Sequence, residues 1–194
     1  MFKNLRGIAY ELKSLPQMIR TSALEVKRIH SLTGAAMLAA LNIILHQMFT
    51  VIVSLTQIVS FAFVTVGVSG MLYGPVLTGM IGIATDIIKY LLKPNGGYFP
   101  GFTLNEFLAG FLHGVFLYKK QITLSRVFFT RLTVVLIINL CLTPMWLSMM
   151  YGKAFIVLVS ARILKNLIML PIGTLLMYFV LKKVSEMKSL KPNC

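Results

Sequence analysis

Acidic residues are scarce in this chain, and over a long stretch charge of either sign is absent. The 194 residues include five Asp and Glu against 19 Lys and Arg, and no Lys, Arg, Asp or Glu occurs from Ile29 to Thr85. Charged residues make up 12% of the chain, whereas about 25% is usual for soluble domains. Since a membrane-spanning helix needs about 20 apolar residues, this composition excludes an ordinary soluble domain and predicts one integral membrane domain.

Cysteines, histidines and nucleotide-binding motifs are also too few or too scattered to indicate a catalytic site. Cys141 and Cys194 do not make a disulfide framework. His30, His46 and His113 are isolated from one another, so no metal site is predicted. The chain has no Walker A motif. We therefore predict a protein that is not an enzyme, does not hydrolyse ATP itself and holds no cofactor.

Most of the basic residues behind the net charge of +14 lie in three groups around the apolar runs. They precede the first run, surround a middle loop and follow the last run: Lys3, Arg6, Lys13, Arg20, Lys27 and Arg28; Lys119, Lys120 and Arg126; Lys182, Lys183, Lys188 and Lys191. This is the positive-inside pattern of membrane proteins. It predicts a bilayer rather than nucleic acid as the partner, with both termini in the cytoplasm.

The apolar runs predict an all-α integral membrane fold, a bundle of six transmembrane helices. The predicted spans are Ser31–Val53, Ile58–Leu72, Pro75–Leu92, Leu104–Tyr118, Arg126–Leu142 and Lys153–Leu181. Gly74 and Pro75 form the turn between the second and third spans, and Pro171 is expected to kink the sixth. The breaker-rich segment 94–103 and the segment 143–152 are predicted loops on the outer side.

The predicted spans divide the chain into three regions. Residues 1–30 are a basic leader, residues 31–182 the membrane domain and residues 183–194 a basic tail. Apolar side chains at positions 2, 5, 8, 12 and 15 have the spacing of a helix lying on the membrane surface, with a break at Pro16. A frayed basic tail is an equally good interpretation of the leader.

Pairs of small residues four apart mark surfaces where helices approach one another closely. Such pairs indicate either a docking surface for a membrane partner or packing inside the bundle. They are Ala35 with Ala39 and Ala36 with Ala40 in the first span, and Gly70 with Gly74 and Gly110 with Gly114 elsewhere.

Charged residues inside or at the edges of the spans are expensive, so they indicate a function. Asp86 and Lys89 share one face of the third helix, and Arg162 and Lys165 share one face of the sixth. Two clusters with cations inside a bundle predict a pocket for an anionic, polar small molecule, because Arg holds a carboxylate with two parallel hydrogen bonds. An internal ion pair between Arg162 and Asp86 is the alternative, and a structural role is favoured for Asp86.

Polar and aromatic side chains near the same end of the predicted bundle complete the candidate site. Asn105, Asn166 and His46 can line the pocket and hydrogen-bond to a ligand. Thr103 and Glu106 fit a helix capping box, with Thr103 at the N-cap. The rings that can stack on a flat ligand or form a membrane-interface belt are Phe99, Phe102, Trp146 and Tyr151.

One string has the form of a catalytic motif. GVSG at 67–70 resembles the GxSG of intramembrane serine proteases, which also have a six-helix core. A serine nucleophile needs a base within hydrogen-bond reach. Those proteases take it from the last core helix, whereas the sixth span here has no histidine and His113 is the remaining candidate. We therefore expect Ser69 to be a packing residue.

Three groups of strings together resemble the folate-type substrate-binding (S) components of energy-coupling factor (ECF) transporters. They are YFPGFTL at 98–104 with Gly110 and FLYKK at 116–120, WLS at 146–148 with YGKAF at 151–155, and ARILKNLIMLP at 161–171. Ala36 and Ala40 resemble the small-residue patch that these proteins present to their membrane partner. The resemblance covers roughly residues 25–185.

The resemblance implies a multi-pass protein of the bacterial cell membrane, with both termini inside and a vitamin site facing outward. Such a subunit docks on a transmembrane coupling protein with two ATPase subunits, and it delivers its vitamin by toppling in the membrane. The ligand implied is folate, with Arg162, Lys165 and Lys89 taking its carboxylates or polar edge. An S component for another vitamin is the alternative, and an intramembrane protease is the alternative of another class.

Overall fold

The computed structural model describes residues 15–54, 57–94, 97–152 and 154–189. The predicted leader and tail therefore both lie partly outside the described residues, at 1–14 and 190–194. Residues 15–25 are helical and are named α1 here. The other helices are α2 (Ile29–Met48), α3 (Phe63–Leu92), α4 (Pro100–Leu117), α5 (Leu124–Val134), α6 (Thr143–Tyr151) and α7 (Phe155–Ser189), with a π-helical segment, Val135–Leu142, joining α5 to α6.

A two-stranded hairpin interrupts the helices between α2 and α3. Its strands, β1 (Thr50–Ser54) and β2 (Gln57–Ser60), pair antiparallel. The predicted end of the first span at Val53 and the start of the second at Ile58 are therefore wrong. An apolar run carries no signal for where a helix stops, and here the β-branched cluster TVIV at 50–53 favours a strand.

The chain reverses direction inside α3, at the turn predicted from the sequence. Gly74 has φ 81° and ψ −175°, and Pro75 follows it. A straight helix of 30 residues would separate its ends by about 45 Å. Phe63 and Lys93 nevertheless line the same cavity. The segments 63–73 and 75–92 are thus two antiparallel halves of one helical hairpin.

Helix α1 contacts this turn through the hydroxyl of Ser22. The Oγ of Ser22 donates to the carbonyl oxygen of Tyr73 and accepts from the N–H of Val76, at 3.0 Å each. Breaking a helix leaves backbone carbonyl and N–H groups without their usual partners. Ser22, which is fully buried, provides a partner for one carbonyl oxygen and one N–H group at this break. The described part of the leader is therefore a packed helix that includes Pro16.

Glycines bring α4 into backbone contact with the second half of α3. A Cβ on Gly114 would lie 2.3 Å from Pro75 Cα, and a Cβ on Gly110 would lie 2.5 Å from the carbonyl oxygen of Thr78. This pair therefore packs inside the bundle.

The alanines of α2 differ in burial. Ala35 is buried, whereas Ala36 and Ala40 are exposed on the outer surface of the bundle.

The apolar core lies at the end of the bundle where α3 turns, here called the turn end. Its members come from four helices and are Val68, Met71, Leu117, Val127, Met177 and Leu181. The candidate site occupies the opposite end, here called the cavity end. The core thus holds the helices together on one side and leaves their other ends apart.

Three further boundaries differ from prediction. Helix α4 begins at Pro100 rather than Leu104, because proline suits the first helical position; Phe99 is then the N-cap, and the capping box at Thr103 is wrong. The segment 143–152, predicted to be a loop, is mostly the helix α6, which Gly152 ends with φ 62°. Helix α7 continues past Leu181 to Ser189 with Pro171 inside it.

Four helical stretches of the described residues are long and apolar enough to cross a membrane. They are Ile29–Met48, Phe63–Leu92, Leu124–Tyr151 and Lys165–Met187. The second of these contains the reversal at Gly74, and α4 is the 18-residue helix between the second and third. By the length and apolar composition of these helices, the chain resembles a multi-pass membrane protein.

We expect Gly114→Ala to destabilise the protein, because the added methyl group meets the backbone of Pro75, which cannot rotate away. Overpacking of this kind costs about 1–3 kcal/mol. Thermal unfolding of the purified protein in detergent would measure the change. Gly97→Ala is the control, since its nearest neighbour is Met150 Cε at 3.8 Å. Equal melting temperatures for the two variants would contradict the close approach.

Candidate functional site

One large cavity opens at the cavity end and extends between the helices. Its volume is about 450 Å³, within the 300–1,000 Å³ range of small-molecule sites. Helices α2 to α7, the π-helical segment and residues 97–99 all contribute to its walls. The cavity therefore depends on the whole bundle rather than on a single loop.

The structure brings nearly all of the predicted ligand residues into this cavity. Trp146 alone is outside the lining, and those that line it are Arg162, Lys165, Asn166, Tyr151, Asp86, Lys89, Phe99, Phe102, Asn105 and His46. Residues far apart in the sequence, such as His46 and Arg162, thus face one space. The signals that located them were polar residues in or near apolar runs and, for Phe99, Phe102 and Tyr151, aromatic rings near the same end of the predicted bundle.

Two helices contribute pairs of cations to the cavity lining. Lys89 and Lys93 line it from α3, and Arg162 and Lys165 line it from α7. Lys89 and Arg162 are 9% and 8% exposed, so their charges lie in a poorly solvated space where electrostatic interactions are stronger than in water. A ligand with anionic groups matches this arrangement.

Asp86 has a structural partner. Its Oδ2 accepts a hydrogen bond from Thr103 Oγ1 at 2.7 Å, and Thr103 in turn contacts the hydroxyl of Tyr98 at 2.9 Å. The Tyr98 ring lies 5.2 Å from that of Tyr90. Asp86 therefore holds the start of α4, and Tyr98 just before it, against α3.

Aromatic rings cover the cavity next to this loop. Phe99 packs on Phe102 and Trp146 with ring centroids 6.1 and 5.6 Å apart. Gly101 makes room, since a Cβ there would lie 2.6 Å from the Trp146 ring. The indole N–H of Trp146 donates to Asn105 Oδ1 at 3.1 Å, and Asn105 Nδ2 donates to Thr143 Oγ1 at 3.1 Å. Trp146 thus orients Phe99 and Asn105, which face the cavity.

The π-helical segment adds a polar residue that the sequence analysis did not single out. Asn139 lines the cavity, and its Nδ2 lies 3.5 Å from Asn166 Oδ1. π-Helical segments often occur at functional sites because the wider turn re-aims side chains. No pattern in the sequence distinguishes this segment from an ordinary apolar helix.

Three further polar residues that line the cavity are themselves buried, and two of them, Arg131 and His113, were not singled out as ligand candidates from the sequence. Arg131 on α5, His113 on α4 and Asn42 on α2 line it and are each buried. Arg131 lies within the predicted fifth span, so the argument applied to Arg162, a charge inside an apolar run, applies equally to it. That signal was present in the sequence.

The geometry gives no support to the protease alternative. Ser69 is 2% exposed and lies outside the cavity lining. His113 Nδ1 is bonded to the carbonyl oxygen of Ala109 at 2.7 Å, and the hydrogen bonds described for it include none to Ser69. Ser69 is thus a buried packing residue of α3.

Comparison with known proteins agrees with this architecture. Residues 30–181 match the family model of the ECF transporter, substrate-specific component. The chain belongs to this family. Two curated relatives are both described as the folate transporter FolT. The relative from Clostridium novyi (strain NT) is 32% identical, and the match covers 84% of this chain and 94% of the relative. The relative from Leuconostoc mesenteroides subsp. mesenteroides is 36% identical, and the match covers 75% of this chain and 81% of the relative.

A solved structure extends the likeness to three dimensions. The crystal structure of FolT bound with folic acid matches with a TM-score of 0.75 and 36% sequence identity. The match covers 80% of this chain and 95% of that one. The family is a transporter component, which places this chain among transport proteins rather than enzymes.

We expect Asn105→Ala to release Trp146, because the indole N–H loses its acceptor. Since the chain has one tryptophan, its emission reports this site alone, and the maximum should move to longer wavelength as the indole gains water. Removing one partner of a buried hydrogen bond costs about 1–3 kcal/mol. Thr133→Ala, whose hydroxyl bonds to its own helix at Phe129, is the control, and an emission maximum unchanged in Asn105→Ala would contradict the contact.

Proposed function

We propose that this chain is the folate-binding S component of an ECF-type importer. The proposal is supported by the cavity, which combines cations, aromatic rings and amides in about 450 Å³, and by the described function of its relatives. Folate carries two carboxylates on a glutamate tail, a benzoyl ring and a pterin. Each chemical part has a counterpart among the lining residues.

The proposed contacts follow from charge and shape. Arg162, Lys165 and Lys89 bind the carboxylates, and among them Arg162 can do so with two parallel hydrogen bonds. Phe99, Phe102 and Tyr151 stack on the flat rings. Asn105, Asn166 and His46 supply hydrogen bonds, while Trp146 and Asp86 keep the surrounding loop and helices in position.

The proposal includes a membrane partner. Ala36 and Ala40 are exposed on α2 between apolar side chains such as Met37 and Leu41. Small residues allow another helix to approach closely in a bilayer. This face of α2 is the proposed contact with a transmembrane coupling protein, whose two ATPase subunits supply the energy for toppling.

We further propose six passes through the plasma membrane of a bacterium, with both termini in the cytoplasm. Support comes from the reversal at Gly74, which makes two antiparallel helices of α3, and from the neighbouring helices α2, α4, α5–α6 and α7. The basic residues Lys119, Lys120 and Lys182 lie at the turn end, which is then the cytoplasmic side. The cavity end faces outward.

Titration of the detergent-purified protein with folate, followed by Trp146 fluorescence, tests the function. Quenching is expected because the indole packs on Phe99 beside the cavity. Riboflavin, biotin and thiamin serve as matched ligands. Saturable quenching by folate alone would support the proposal, while a response to a different vitamin alone would replace folate as the substrate. Absence of any response, checked by calorimetry, would contradict a vitamin-binding role.

Arg162→Ala should weaken folate binding more than tenfold while the protein stays folded. A hydrogen bond to a charged group contributes roughly 1.5–3 kcal/mol, and about 1.4 kcal/mol corresponds to a tenfold change. Calorimetric dissociation constants would measure the loss. Lys182→Ala removes an exposed cation at the turn end and should leave the constant unchanged. An unaltered constant for Arg162→Ala would remove Arg162 from the site.

A further inference from the structure

A groove lies between α5 and α7 on the outer surface of the bundle, apart from the cavity. Its volume is about 440 Å³, and it shares no described lining residue with the cavity. Val127 on α5 belongs to the core at the turn end, so the groove lies on the turn-end half of the bundle. The lining residues are Leu124, Ser125, Phe128, Phe129, Pro171, Thr174 and Leu175.

The surface of this groove is mostly apolar. The Phe128 and Phe129 rings meet edge to face, with their centroids 6.0 Å apart. Thr174 is 3% exposed, and its hydroxyl donates to the Leu170 carbonyl oxygen at 2.7 Å, so its proton is already used within the helix. The exposed walls are apolar residues with 38–57% exposure, namely Leu124, Phe128, Phe129 and Leu175. The groove therefore suits an apolar chain rather than a polar molecule.

Within a bilayer, such a surface faces lipid or another helix. Close approach of a second helix requires small residues, which Ala36 and Ala40 provide on α2. The groove is instead rimmed by the large rings of Phe128 and Phe129, which keep a second helix at a distance. A flexible acyl chain can follow the irregular surface between these rings and Pro171. A lipid chain is thus the occupant that this shape favours.

Cations lie at the turn end of the groove. On α7, Leu175, Tyr178 and Lys182 share one face, at spacings of three and four residues. Lys182 Nζ lies 5.8 Å from the centroid of the Tyr178 ring, so the amine reaches back along the helix toward the groove, as helical side chains usually do. On α5, Arg126 Nη1 donates to the Gln121 carbonyl oxygen at 3.2 Å, which holds a second cation where that helix begins.

A carboxylate on the same helix does not cancel this charge. Glu186 lies one turn beyond Lys182, farther from the groove, and the described residues form no ion pair between these two. The groove thus has an apolar body and a cationic mouth, which matches the two parts of an anionic phospholipid. Basic pockets between transmembrane helices on the cytoplasmic side bind anionic lipid headgroups in this way.

We propose that this groove holds an anionic phospholipid of the inner leaflet. One acyl chain lies along Phe128, Phe129 and Leu175, and the headgroup phosphate lies against Lys182 and Arg126. The site goes beyond vitamin binding and does not depend on which ligand the cavity takes. It draws on the orientation proposed above, in which the turn end is cytoplasmic.

Selection among lipids must come from the headgroup, because an acyl chain that enters the groove leaves surroundings that are equally apolar. One basic residue near an anionic membrane surface contributes about 1 kcal/mol, which corresponds to a preference of roughly fivefold. Phosphatidylglycerol should therefore occupy the groove more readily than phosphatidylcholine by this factor.

The test measures which lipid touches the groove. Phe129→Trp places a fluorophore there, and the full-length protein is reconstituted in phosphatidylcholine vesicles with increasing amounts of brominated phosphatidylglycerol. Bromine quenches tryptophan at short range, so the quenching curve gives the relative binding of the two lipids. The emission of Trp146, measured in the otherwise unaltered protein, is subtracted. The curve should show the roughly fivefold preference for phosphatidylglycerol.

Matched variants separate the groove from the rest of the lipid boundary. Met80→Trp puts a reporter at a residue that is 48% exposed and five residues after Pro75, as Phe129 is five residues after the start of α5. This reporter should show no preference. In the Phe129→Trp protein, Lys182→Ala should abolish the preference. Lys183→Ala, which removes an exposed cation from another face of α7, should keep it.

Equal quenching by the two lipids at Phe129→Trp, or an equal preference at Met80→Trp, would overturn the site and indicate ordinary boundary lipid. A preference that survives Lys182→Ala would overturn the headgroup contact. A Phe129→Trp reporter that brominated lipid does not quench would show that the groove is closed to lipid, which also overturns the proposal. Unfolding temperatures show whether each variant folds, and Phe128→Trp replaces Phe129→Trp if that variant does not. Since no vitamin is present, these results are independent of folate binding.

Discussion

The close contact between α4 and the second half of α3 is the constraint on which the rest of the structure depends. Gly110 and Gly114 allow the two backbones to approach until another residue would clash with Thr78 and Pro75. In a bilayer, where apolar side chains gain little by leaving lipid, such dispersion contacts are a main source of helix association. The contact sets α3 and α4 as one unit, and the remaining helices assemble around it.

That unit fixes one wall of the cavity. Because α3 and α4 are antiparallel and in backbone contact, Asp86 on α3 reaches Thr103 in the first turn of α4. Lys89 and Asn105 then face the cavity from adjacent helices. The turn at Gly74, which Ser22 satisfies from α1, lies at the far end of this unit. Packing at one end therefore determines the geometry of binding groups at the other.

The sequence predicted the membrane class, the family, the turn at Gly74 and ten of the residues that line the cavity. The membrane class came from the long uncharged apolar stretch and the family from short sequence strings. The turn and the polar lining residues came from a polar or helix-breaking residue in an apolar run, where its cost requires a purpose. The hairpin 50–60, the π-helical segment and α6 were not predicted, because each of these sequences suits more than one backbone conformation and the choice depends on packing against neighbouring elements. Arg131 shows a different limit, because its signal was present but its position facing the cavity depends on how α5 is rotated.

The charges of the cavity lining indicate which kind of ligand the architecture can bind. The described chain has four carboxylates, and of these Asp86 and Glu106 line the cavity, whereas Arg131, Arg162, Lys89, Lys93 and Lys165 bring five cations to the same space. The excess positive charge is unfavourable for the protein alone and becomes favourable when a dianionic molecule enters. The cations come from α3, α5 and α7, which otherwise meet mainly in the apolar core at the turn end. A dianionic ligand that contacts cations from all three helices links these helices at the cavity end, so that binding an anion also stabilises the bundle.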